Sequence, residues 1–123
     1  MTTFDEIKQY LLAQGWKAYK DHHRPHYQYP EYFCYKVENA KECCCNNKPP
    51  LFWIRLHNFR LEFAHAPDAI AGLVEITGEL PNGLWLHSSV TLDAKEILDS
   101  EKLKSVESLL VKSWNMAWEE SSK

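Results

Sequence analysis

"GLVEITGELPNGLWLHSSVTL", residues 72–92, holds one turn between two alternating flanks. Pro81-Asn82-Gly83 suits a type I turn closed by a glycine with positive φ. Side chains alternate across a strand, so parity sorts each flank into two faces. Val74, Ile76 and Leu80 share an aliphatic face, as do Leu84, Leu86, Val90 and Leu92 on the return. Glu75, Thr77 and Glu79 oppose the first set, and Trp85, His87, Ser89 and Thr91 the second. The stretch is therefore an antiparallel hairpin with one face to be covered. Gly78 inside its first strand predicts a bulge or a close backbone approach.

Upstream, "LFWIRLHNFRLEFAHA", residues 51–66, is rich in strand formers, with a break expected near His57-Asn58. Phe52, Ile54 and Leu56 share one parity. Trp53, Arg55, His57 and Phe59 share the other. "EYFCYKVE", residues 31–38, alternates as a strand, and "GWKAYK", residues 15–20, is too short for anything but a strand. Cys34 is read as a small core residue of its strand. "DHHRPHYQYP", residues 21–30, is a loop. The chain opens with "TFDEIKQYLLAQGW", a helix with both ends written in. Thr3 and Glu6 have capping-box spacing, Phe4, Ile7 and Leu11 form a stripe, and Gly15 can end the helix. Trp16 would then fold back onto Leu11.

Downstream, Asp93 and Glu96 can cap a short helix. Asp99 or Ser100 opens a longer one striped by Leu103, Val106, Leu110, Trp114 and Ala117. The order is helix, several strands, helices, with no repeat and no strand–helix alternation. We expect one α+β domain over residues 1–123: a mainly antiparallel sheet of four to five strands, with the N-terminal helix and the C-terminal helices packed on one face.

Composition sets the remaining limits. The chain has 123 residues, 45% of them apolar and 25% charged, with a net charge of −3, as in an ordinary globular domain. No apolar run spans a bilayer, and the start "MTTFDEIKQY" lacks the plan of a signal peptide, so the expectation is a cytoplasmic protein with no membrane role. The mild negative charge argues against general affinity for nucleic acid.

Helices supply cover for one side of such a sheet. The other side would carry Trp53, Arg55, His57, Trp85 and His87. Tryptophan and arginine dominate binding hot spots, so this face points to a protein partner or a homodimer. The bland alternative is that the aromatic loop of residues 21–31, or the chain ends, covers the tryptophans. A second reading uses residues 16–36, where Lys17, Lys20, Arg24 and Lys36 outnumber Asp21 and Glu31 amid many rings. There Arg24 and Tyr27 would bind single-stranded nucleic acid by stacking and charge. The plainer reading is a loop sealing one end of the sheet. Residues 61–80, by contrast, carry four acids and no lysine or arginine.

"NAKECCCNNKPP", residues 39–50, offers Cys43, Cys44 and Cys45 as zinc ligands with His22, His23 or His26. The C-x2-C spacing is missing, so an ordinary loop of solvent-open thiols is the simpler reading, with no metal. For catalysis, His57 and His87 share a face and could approach each other or Glu75, with Ser88 and Ser89 adjacent. No nucleophile elbow, metalloprotease helix, phosphate loop or cofactor motif accompanies them. The expectation is a non-enzymatic interaction module with no cofactor.

Overall fold

A computed structural model describes residues 3–20, 31–44, 46–58 and 70–123. Helix α1 (Phe4–Ala13) leads into strands β1 (Lys17–Lys20), β2 (Glu31–Tyr35), β3 (Leu51–Asn58), β4 (Ile70–Glu79) and β5 (Trp85–Asp93). Helices α2 (Ala94–Ile97) and α3 (Ser100–Ser121) follow. The sheet runs β1-β2-β3-β4-β5, each strand antiparallel to its neighbour. This is the expected α+β fold, built as a simple meander. No described helix is long and apolar enough to cross a membrane.

Local chemistry sets the element ends. Thr3 Oγ1 accepts the Glu6 N–H at 3.2 Å. At the other end of α1, Gly15 adopts φ +96°, its N–H reaches the Leu12 carbonyl, and the Trp16 N–H reaches that of Leu11. That pair of bonds closes the helix and turns Trp16 into the core. The capping box of Asp93 and Glu96 is formed in both directions, and Asp99 caps α3. In the hairpin, the Gly83 N–H donates to the Leu80 carbonyl at 2.9 Å, with Gly83 at φ +87°. Leu84 departs from its expected core position. It belongs to the turn closure rather than to β5, and it is 66% exposed.

Ile7 and Leu11 of α1, Ile97 of α2, and Leu103, Val106, Leu110 and Trp114 of α3 share one core with Phe33, Phe52, Ile54, Leu56, Val74, Ile76 and Leu92. All three helices therefore lie on the aliphatic side of the sheet. Two glycines let them approach. A Cβ at Gly72 would stand 2.8 Å from the Ile97 side chain, and one at Gly78 would stand 2.7 Å from the Trp114 ring. The ladder runs unbroken through Gly78, opposite Leu86, so the close approach is the role this glycine plays and no bulge forms.

Trp114 is fully buried, so its ring cannot swing away from an added methyl. Gly78→Ala should therefore destabilise the fold by about 1–3 kcal/mol through overpacking. Gly83→Ala meets open space and only the strain of positive φ, about 1–2 kcal/mol. Urea unfolding separates the two mechanisms. Adding Trp114→Leu should recover part of the Gly78→Ala loss and none of the Gly83→Ala loss.

Candidate functional site

The second sheet face follows from the register. Lys17, Cys34, Trp53, Glu75 and Ser89 form one row across the strands, and Tyr19, Tyr32, Arg55, Leu73 and Thr91 the next. Toward the hairpin turn come Leu51, Thr77 and His87, and then Glu79 with Trp85. No described helix packs on this side.

Its centre is a continuous set of rings and a cation. Tyr19 stacks on Tyr32 with centroids 5.7 Å apart, and Tyr32 meets Trp53 edge-on at 5.9 Å. The Arg55 guanidinium lies 4.4 Å from the Trp53 ring centroid, a cation–π contact. The Trp53 Nε1–H is buried and has no acceptor among the described residues. Tyr19 is 45% exposed and Trp85 54%.

Next to this cluster, the His87 Nδ1 lies 3.1 Å from Glu75 Oε1 and 3.2 Å from Thr77 Oγ1. Nδ1 is thus the ring nitrogen held by both neighbours, which fixes the orientation of the ring. The expected approach of His87 to Glu75 is therefore present. The approach to His57 is not. His57 is opposite Ala71, while His87 is opposite Thr77 in the row of Leu51. Six residues of strand, about 20 Å, separate the two rows. Trp53 and Trp85 are likewise four residues and two strands apart, so the face has a central cluster and a separate corner.

Arg24 and Tyr27, with His22, His23 and His26, lie outside the described residues, as does Cys45. The cysteine stretch itself turns back on the hairpin. Cys43 bridges Lys48, the Cys44 N–H donates to the Glu79 carbonyl at 3.0 Å, and the Glu79 N–H donates to Cys43 Sγ at 3.1 Å. Cys43 is 3% exposed, which corrects the expectation of solvent-open thiols, whereas Cys44 is exposed. One neighbouring thiol faces in and the other out. Cys34 also departs from its expected core position. Parity places it beside Trp53 on the second face, half-buried, where burial pushes its thiol up to about 11.

The corner at Trp85 opens into a concavity of about 820 Å³. Cys34, Leu51, Thr77, Tyr19 and Trp85 line it together with Pro49, which is exposed, and Pro50, which is buried. No sequence pattern marks this feature, because its residues come from five separate stretches of chain. A second concavity of about 600 Å³ lies between α3 and the residues after β2, with Glu38, Glu107, Lys112 and Glu119 in its wall. Burial, and then the Glu38 carboxylate, hold the Glu107 carboxyl above its ordinary range, against the opposing pull of Lys104.

The chain matches no protein-family model, no curated protein and no solved structure, so the functional reading rests on this geometry.

Two measurements follow from these environments. Under native alkylation with peptide mapping, Cys44 should react first, Cys43 should react only on unfolding, and Cys34 should lag for want of thiolate at pH 8. Labelling of Cys43 at the rate of Cys44 would contradict its docking. For Glu107, a folded-state pKa above the unfolded one means a contribution that is present at low pH and lost as pH rises through the folded value. Glu107→Gln should thus be more stable than wild type near pH 7, and the gain should shrink toward pH 4. Urea unfolding at the two pH values tests the sign.

Proposed function

We propose that this chain is a non-enzymatic interaction module that binds a protein partner, a second copy of itself included, through the second sheet face. The observation that carries the reading is the Tyr19–Tyr32–Trp53–Arg55 stack on a side where no described helix packs. Rings and a guanidinium held by one another lose little rotamer freedom on binding, which favours association. Trp53, Arg55 and His57 supply one part of the surface, and Trp85 and His87 another.

Sedimentation velocity across a concentration series tests the reading. A mass that rises with concentration, and falls back to monomer in Trp53→Ala or Trp85→Ala, supports self-association through this face. A wild-type monomer whose Trp53 and Trp85 are shielded from an acrylamide quencher removes the case for the face, for a partner as much as for a second copy.

One observation favours a second reading, single-stranded nucleic acid. Tyr19 is stacked, exposed, and flanked by Lys17 and Lys20 on β1. Bases stack on such rings, and Arg24 and Tyr27 are the residues of the following segment whose side-chain types suit the same ligand. That reading calls for salt-sensitive oligonucleotide binding that weakens in Arg24→Ala or Tyr27→Ala, and absence of binding at low salt ends it.

A further inference from the structure

The corner concavity differs in chemistry from the rest of the molecule. The protein carries a net charge of −3, yet the residues lining this concavity include three lysines, Lys17, Lys36 and Lys48, and no acid, the Glu79 opposite Trp85 lying outside the lining. Lys8, Lys41, Lys102 and Lys123 each pair with a glutamate elsewhere. None of the three around the concavity has an ion-pair partner among the described residues. All three are exposed. The lining also has open apolar surface: Leu51 is 47% exposed, Trp85 is 54% exposed, and the exposed Pro49 has no N–H to offer. An uncovered leucine and tryptophan lining the same concavity as three cations form a patch with two chemistries.

We infer that this concavity is a binding site for a small amphipathic anion: an apolar, preferably flat body carrying one carboxylate or equivalent acid group. The body lies over Leu51 and Pro49, toward the Trp85 ring. The acid group sits at the lysine rim, where up to three ammonium groups approach it. Asn46 adds a donor. Its Oδ1 is taken by the Lys48 N–H at 3.0 Å, which leaves its amide N–H group for the ligand. Cys34, along the same surface, stays a neutral thiol and adds no negative charge to repel it. A volume of about 820 Å³ lies within the range that takes a drug-sized molecule. A cation would meet three like charges here, and a neutral body would leave the rim unanswered. The site shares Trp85 and Tyr19 with the proposed interface but does not depend on it, since Lys36, Lys48 and Pro49 lie outside the Trp53 stack.

Isothermal titration at low salt with 2-naphthoate, beside its neutral isostere 2-naphthamide, tests the inference. The carboxylate should bind at least about tenfold more tightly than the amide. That preference should collapse in the Lys17→Gln, Lys36→Gln, Lys48→Gln triple variant, whose exposed positions leave folding intact by thermal melt. Leu51→Ser should weaken both ligands together. Equal affinity for acid and amide, a preference that survives in the triple variant, or no binding of naphthoate at millimolar concentration would each overturn the site. The sedimentation result does not enter. A strict monomer that binds naphthoate in this way keeps the site and loses the interface, and a dimer indifferent to naphthoate does the reverse.

Discussion

The Trp114 indole is the contact on which the arrangement of this molecule turns. Its ring lies fully buried against β4 at Gly78, and its Nε1–H donates to the Lys41 carbonyl at 2.7 Å. One side chain thus joins α3, the hairpin end of β4 and a segment that has no regular structure of its own. The neighbouring residues on the helix repeat the device. Asn115 Oδ1 accepts the Lys41 N–H and its Nδ2 donates to the Asn39 carbonyl, while Trp118 Nε1 donates to the Glu42 carbonyl. Backbone groups in an irregular segment must find partners, and here they find them on one face of a helix. Lys41 adds its ammonium to the same contact, over the Trp118 ring and against Glu119. With residues 39–42 fixed, the turn that follows can dock on the hairpin through Cys43, Cys44 and Glu79. The concavity at Trp85 lies beside that docked turn, so its walls depend on a helix on the far side of the sheet.

Much of the fold was legible because its signals are local. A cap needs residues three apart, a helix end needs one glycine, and a strand face needs parity. Gly15, Asp93, Asp99 and the Pro81-Asn82-Gly83 turn behave as those spacings require, and Thr3 forms its half of the capping box with Glu6. Gly78 was legible as a place of close approach, although the ring that approaches it, 36 positions further on, was not named by the pattern. Misreadings arose where a general expectation displaced parity or where a partner was remote. Cys34 alternates with Phe33, which is fully buried, so parity alone would have put the thiol on the second face. Leu84 shares its parity with Leu86, but the turn ends at it and the strand begins one residue later. Cys43 gave no local sign of burial, because its cover comes from the end of β4 and its segment is held by α3.

The candidate site divides in the same way. The second face, with Trp53, Arg55, Trp85 and His87 on it, could be read from alternation in β3 and β5. Their grouping could not, because register decides which residues share a row. Register joins Trp53 to Tyr32 and Arg55, joins His87 to Glu75 and Thr77, and separates His57 from His87. The lysine rim was less legible still. Lys17, Lys36 and Lys48 come from β1, from the residue after β2 and from the docked turn, and only the folded chain brings them to one place.

The face also has an order of charge that bears on how it would be used. Glu75 is largely covered, and His87 lies against it on one side. Arg55 is spent on Trp53. The centre of the face therefore presents rings whose charged neighbours are already engaged, which lowers the desolvation cost of covering it with another apolar surface. The corner presents the opposite condition: a lining with lysines and no acid, together with exposed leucine and tryptophan. A broad partner gains most from the centre, where little charge must be stripped of water. A small anion gains most from the corner, where the charge is already in place and only the ligand must bring its opposite. The two parts of one sheet face are thus suited to different occupants, and binding at the corner would change the charge beside Trp85 that any partner reaching that far would meet.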